Sequence, residues 1–181
     1  MTAIRRFLLF PVVFGMLLWV SPRAAFPALA LPSLFDDEFD KKPWQEIEVV
    51  LPAFPQPENL IPVDIDAVTT SMRFLIDEKS ISVDSDEVIR YSLVALSPSG
   101  ARNVSYEGMR CAAAERRVYA FGQADGTWSK ARSNQWVRIQ GSRSSYQVVL
   151  FLDYFCAIGQ RAIMTPEDAI RVLRQGGIGT E

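Results

Sequence analysis

The sequence predicts an α+β domain, in which an antiparallel β meander leads into two C-terminal helices and one disulfide ties the fold. Apolar and polar residues alternate in short runs between residues 73 and 122, which is typical of half-buried strands. Turn-forming residues separate those runs, most clearly at Ser97-Pro98-Ser99-Gly100 and Asp125-Gly126. After residue 145 apolar residues recur at steps of three and four, which favours helices.

Residues 1–30 have the pattern of a secretory signal peptide. Arg5 and Arg6 form a basic start, Phe7 to Val20 is an apolar run, and Ala28-Leu29-Ala30 is a small-x-small cleavage site. The apolar run is shorter than the roughly 20 residues that a membrane-spanning helix needs. We therefore expect cleavage after Ala30, a periplasmic protein and no stable membrane anchor. An uncleaved anchor and twin-arginine export of the folded protein are the alternatives.

Composition limits what the exported chain can do. The first 30 residues contain three basic residues and no acids, so the remaining 151 carry 16 basic and 21 acidic side chains, a net charge of −5. An acidic chain is poorly suited to nonspecific nucleic-acid binding. The chain contains no histidine, which excludes Ser-His-Asp and Cys-His nucleophiles and every histidine-ligated metal site. We predict no cofactor, no metal site and no catalytic residue.

The elements follow in order along a single predicted domain, residues 44–181. An acidic arm at residues 31–43 precedes it, and residues 52–62 are rich in proline and predicted to be irregular. Helices are predicted from Ser145 to Cys156, and from Pro166, capped by Thr165, to a stop at Gly176. Strands are predicted at Trp44 to Leu51, Arg73 to Asp77, Ile81 to Val83, Val88 to Ser97, Ala101 to Cys111, Arg116 to Gly122 and Trp136 to Ile139, with a turn at Asp77 to Ser80.

Cys111 and Cys156 are the only two cysteines. In an exported chain an isolated pair favours a structural disulfide, here between the end of a core strand and the end of the first helix. A reactive thiol and two buried free thiols are the alternatives.

Basic and aromatic residues interleave along the predicted middle strands and after the Asp125-Gly126 turn. An arginine guanidinium can form two hydrogen bonds to one carboxylate and can stack on aromatic rings. Such a surface can therefore bind an envelope protein or a small anionic ligand. The same pattern also arises on a solvated sheet face with cross-strand Arg–Glu and Tyr–Arg pairs. Arg116, Lys130, Arg132 and Trp136 belong to this set, and the candidate binding face within it is Arg102, Tyr106, Arg110, Arg117, Tyr119 and Trp128.

Several stretches resemble the cryptic neisserial protein family, small exported proteins of betaproteobacteria without an assigned activity. They are residues 35–44, 58–62, 97–108 and 124–132. The resemblance implies export and a family cysteine at Cys111, and it implies no catalytic residue. The chain also resembles the protein E type of surface adhesins in the order of its elements. The resemblance lies in a strand from Tyr106 to Cys111 and a late helix that ends at Cys156.

We therefore predict a non-enzymatic periplasmic binding or envelope-accessory module. One alternative is a hydrolase of an envelope polymer, which needs two carboxylates about 5 to 10 Å apart. Its candidates are Glu107, Glu115, Asp125 and Asp153. Another is a metal or ligand carrier that uses the acidic arm at Asp36 to Asp40.

Overall fold

A computed structural model of the chain describes residues 43–65, 71–157, 160–161 and 163–178. The predicted signal peptide lies outside the described residues, and so does the predicted acidic arm apart from Pro43.

The main sheet of the described residues is antiparallel, and its first six strands follow each other in chain order. A seventh strand pairs with the fifth, beside the sixth. This confirms the predicted meander. The strands are β1 (Leu60–Val63), β2 (Arg73–Val83), β3 (Val88–Leu96), β4 (Arg102–Arg110), β5 (Glu115–Gly122), β6 (Trp128–Lys130) and β7 (Val137–Arg138).

The two predicted C-terminal helices pack on one side of the sheet, which we call the helix face. Helix α1 (Tyr146–Val149) continues as a π-helical segment (Leu150–Phe155), and α2 (Pro166–Gln175) follows a small hairpin of β8 (Cys156–Ala157) and β9 (Gln160–Arg161). Their apolar side chains join Ile89, Tyr91 and Met109 of the sheet in the main core. Thr165 and Asp168 form a reciprocal capping box at the start of α2, which confirms the predicted cap at Thr165.

The disulfide between Cys111 and Cys156 is present, with the two Cα atoms 5.5 Å apart. Cys111 directly follows β4, and Cys156 directly follows the π-helical segment. Both residues are buried in the main core. The predicted disulfide is therefore confirmed, and it joins the middle of the sheet to the helical layer.

The prediction of a strand over Trp44 to Leu51 is wrong. These residues form no strand, because the segment crosses a sheet face instead of joining an edge. The first strand is instead Leu60–Val63, within and just after the proline-rich region predicted to be irregular. It pairs with Phe74 to Asp77 of β2, and Pro62 tolerates this position because β1 is an edge strand.

The predicted turn over Asp77 to Ser80 is a bulge within one continuous strand, β2. The Ser80 hydroxyl donates to the Asp77 carbonyl at 2.7 Å and accepts from the Ser92 amide at 2.7 Å. A side chain thus replaces the interrupted ladder contacts, so the strand continues through a sequence that otherwise favours a turn.

The helix predicted from Ser145 to Cys156 is present, but only Tyr146–Val149 is α-helical. Residues 150–155 are π-helical, and Leu152 is 42% exposed. A π-helix has more residues per turn than an α-helix, so spacing derived from α-helical turns misplaces side chains within it. Leu150, Phe151, Tyr154 and Phe155 supply the buried side instead.

Candidate functional site

Residues 43–56 cover the side of the sheet opposite the helices. We call these residues the strap and the covered side the strap face. Val49 and Leu51 of the strap pack against Tyr106, Tyr119 and Ala120 of the sheet. The strap is held mainly by side-chain contacts, since it forms no strand.

Glu46 is the most connected residue of the strap. Its carboxylate accepts a hydrogen bond from the Tyr119 hydroxyl at 2.6 Å, forms an ion pair with Arg117, and lies 3.4 Å from the Trp136 indole nitrogen. It also lies 3.5 Å from the guanidinium of Arg90. Burial, reinforced by the bond to Glu46, raises the pKa of Tyr119, so Tyr119 stays a hydrogen-bond donor at neutral pH.

Arg90 is a buried cation beneath the strap, only 2% exposed. Its guanidinium forms two bonds to Asp86, at 2.5 and 3.2 Å, and one to Asp84 at 3.3 Å. Burial opposes ionisation of Asp86, but hydrogen bonds from Arg90 and from the Ile47 amide outweigh it and lower the pKa of this carboxyl. The strap and the β2–β3 turn therefore share one compensated charge cluster.

The remaining strap contacts pair cations with rings. The guanidinium of Arg110 lies 3.6 Å from the centre of the Trp44 ring, and that of Arg102 lies 5.6 Å from the Phe54 ring. The Trp128 indole donates to the Pro52 carbonyl at 2.9 Å. Each of these contacts joins the strap to a different strand end, so the strap is anchored along its length.

Two glycines provide the space for these contacts. A Cβ atom at Gly108 would overlap the Tyr119 hydroxyl oxygen, and one at Gly122 would lie 2.8 Å from the Phe54 ring. Both rings thus rest directly on the sheet backbone, where only glycine leaves room.

The structure places all six residues of the predicted binding face on the strap face. Tyr106 and Tyr119 are buried, with ring centres 5.5 Å apart, and Trp128 lies beside Tyr106. The four others, Arg102, Arg110, Arg117 and Trp128, contact the strap or one another as described. Most of the binding capacity of this face is thus used by the chain's own residues 43–56.

A cleft opens along the middle of β5, in the gap between β6 and β7. β6 pairs with Ala120 to Gly122 and β7 pairs with Glu115 and Arg116, so the middle of β5 lacks a strand partner on this side. The cleft has a volume of about 400 Å³. The residues that line it include Arg116, Val118, Phe121, Lys130, Arg132 and Val137.

The charge of this cleft differs from that of the strap face. Arg116, Lys130 and Arg132 form no ion pair within the described residues. Arg117 also lines the cleft, but it is paired with Glu46. Among the residues that the structure describes, no acidic side chain lines the cleft. The sequence showed these three cations, but it did not distinguish them from those that the strap neutralises.

Glu107 lies behind the cleft on the helix face and is 1% exposed. It accepts hydrogen bonds from Ser105 at 2.6 Å and from Tyr146 at 2.9 Å. Burial raises the pKa of Glu107, although Ser105, Tyr146 and the nearby charge of Arg116 oppose this. A hydrogen bond from the buried Tyr91 hydroxyl also acts to lower the pKa of Glu107.

The four carboxylates considered for hydrolysis have separate environments. Glu115 pairs with Arg110 at 3.1 Å, Asp153 pairs with Arg143, and Asp125 binds Thr127. Glu115 begins β5 and Asp125 follows its end, so at about 3.3 Å per residue they lie some 20 Å apart along the strand. Within the described part of the chain, no two of the four share a hydrogen-bond or ion-pair partner. This arrangement does not resemble a paired-carboxylate active site.

Within residues 43–65, 71–157, 160–161 and 163–178 there is no cluster of three or more cysteine or acidic residues that could hold a metal ion. No helix in these ranges has the length and apolar character to cross a membrane.

Fold and site together define a disulfide-tied α+β domain with a strap on one sheet face and helices on the other. The chain belongs to the CNP1-like family, whose pattern matches residues 39–174. This family is uncharacterised, so membership assigns no activity and no catalytic residue. No curated protein and no solved structure matches the chain significantly.

Proposed function

We propose that this chain is a periplasmic, non-enzymatic binding module that takes an anionic envelope partner into the cleft between β6 and β7. The observation that carries the proposal is a cleft lined by Arg116, Lys130 and Arg132, of which Lys130 and Arg132 form no ion pair within the described residues. Cations without counter-charges attract an anionic partner more strongly than cations already neutralised within the fold.

Two further features support a binding role. The candidate carboxylates are engaged separately in structural contacts, which disfavours the hydrolase alternative. The pattern likeness of the region from Tyr106 to Cys111 to exported adhesins also agrees with binding. The strap face becomes available to a partner only if the strap moves, so the cleft is the better candidate surface.

Capture from a periplasmic and membrane extract tests the proposal. The bait is the oxidised protein without residues 1–30, compared with its Lys130→Glu/Arg132→Glu variant. The matched control, Arg73→Glu/Lys79→Glu, makes the same charge change at exposed positions on β2. We expect captured anionic partners to disappear with the cleft variant and to persist with the control. Equal capture by all three baits would contradict the proposal.

Export is tested separately. Expression of the full chain should yield a periplasmic protein whose first residue is Leu31. Recovery of the chain from membranes with Met1 still attached would contradict the proposed location. The family resemblance to exported proteins supports this part of the proposal.

A further inference from the structure

The cleft between β6 and β7 combines cations with exposed apolar surface. Phe121 and Val137 line it and are 49% and 52% exposed, although large apolar side chains are usually covered. Val118 is a third apolar member of its lining. The helices cover the helix face near β1 to β4 but leave this part of the sheet open.

The size of the cleft suits a small organic molecule. Its volume of about 400 Å³ lies within the usual range of roughly 300 to 1,000 Å³ for ligand sites. Such sites typically have apolar walls and a few polar groups that fix orientation. Gln123, Gln135 and Ser129 supply neutral polar groups here.

From this combination we infer that the cleft binds an amphiphilic organic anion, one anionic head group on an apolar body. The body would pack against Phe121, Val118 and Val137. The head group would face Lys130 and Arg132, which form no ion pair within the described residues, with the charge of Arg116 nearby. An inorganic anion would leave the apolar walls uncovered, and a neutral apolar molecule would leave the cations uncompensated. The charge and the apolar surface of the cleft together therefore favour an amphiphilic anion over an inorganic anion or a neutral apolar molecule.

This inference rests on the proposed function, because it uses the same cleft and assigns a ligand class to it. The chemistry is shared by aromatic and aliphatic carboxylates, and two probes separate them. 2-Naphthoate has an aromatic body and decanoate has an aliphatic one. 2-Naphthamide keeps the aromatic body without charge, and inorganic phosphate has charge without an apolar body.

Calorimetric titration of the oxidised protein without residues 1–30 tests the inference. We expect saturable binding of 2-naphthoate, decanoate or both, and at least tenfold weaker binding of 2-naphthamide and phosphate. The Lys130→Gln/Arg132→Gln and Phe121→Ser variants should each weaken binding of the carboxylate at least fivefold. The Arg73→Gln/Lys79→Gln control should bind within twofold of the parent. All four altered cations and Phe121 are exposed, so folding should be preserved, as circular dichroism would verify.

Failure of the inference can be told apart from failure of the proposed function. If neither carboxylate binds, or if both cleft variants bind as well as the parent, the inference is overturned. It is also overturned if 2-naphthamide binds as tightly as 2-naphthoate. Loss of partner capture with the charge-reversal variant would still support the proposed function in those cases. Carboxylate binding with unchanged partner capture would instead retain the ligand site and contradict the proposed role in partner binding.

Discussion

Replacement of Glu46 by alanine should destabilise the fold more than any other single truncation in the strap. The substitution removes the acceptor of the Tyr119 hydroxyl and the ion-pair partner of Arg117. It also removes one of three carboxylates around the buried Arg90. Val49 and Leu51 would keep their apolar contacts, so the effect should come from the polar cluster.

The magnitude follows from these lost contacts. A buried hydroxyl left without its acceptor costs about 1 to 3 kcal/mol, and a hydrogen bond to a charged group contributes about 1.5 to 3 kcal/mol. Arg90 keeps Asp86, and the side chain of Arg117 is 21% exposed, so neither cation becomes fully uncompensated. We therefore expect a loss of about 3 kcal/mol in the free energy of unfolding.

Urea unfolding of the oxidised protein, followed by tryptophan fluorescence, measures this loss. Glu48→Ala is the matched control because Glu48 is an exposed neighbour, and it should change the unfolding free energy by less than about 0.5 kcal/mol. Similar small effects of Glu46→Ala and Glu48→Ala would refute the view that Glu46 anchors the strap.

Three further predictions concern the core. Replacing both Cys111 and Cys156 by alanine should cost about 4 kcal/mol by the loop-entropy estimate for a separation of 45 residues, measured by urea unfolding against the oxidised protein. Gly108→Ala should cost about 2 kcal/mol through overpacking against Tyr119, and a melting temperature equal to the parent's would contradict this. The raised pKa of Glu107 means that the folded state holds its proton to higher pH than the unfolded chain, so this group lowers stability as pH rises above its ordinary pKa of 4.5. Glutamine at this position does not titrate, so the unfolding free energy of Glu107→Gln should rise relative to that of the parent as pH increases from 4.5 to 7. A difference between the two proteins that stays constant over this range would contradict the raised pKa of Glu107.

Local patterns were sufficient to predict the central strands and the last helix. β3 and β4 alternate or are apolar on both faces, and Ser97 to Gly100 turns the chain between them, so their bounds follow within a residue or two. Thr165, Pro166 and Gly176 mark the ends of α2 because capping and left-handed backbone are local properties. The disulfide followed from the predicted export and the presence of only two cysteines in the sequence.

The strap could not be predicted from local patterns. Alternation over Trp44 to Leu51 indicates an extended segment, but it does not show whether that segment pairs at an edge or crosses a face. The distinction depends on contacts distant in sequence, such as that between Glu46 and Tyr119. The environments of the arginines were indistinguishable for the same reason: Arg116 and Arg117 are neighbours in sequence, but Arg117 pairs with Glu46 of the strap and Arg116 lies near Glu107.

The central claim is that the functional surface is the cleft rather than the strap face. Backbone amide shifts of the ¹⁵N-labelled, oxidised protein during titration with 2-naphthoate test it most directly. We predict saturable shifts confined to residues around the cleft, including Val118, Phe121 and Lys130. Saturable shifts centred instead on the strap face, around Glu46 and Arg102, would contradict the claim.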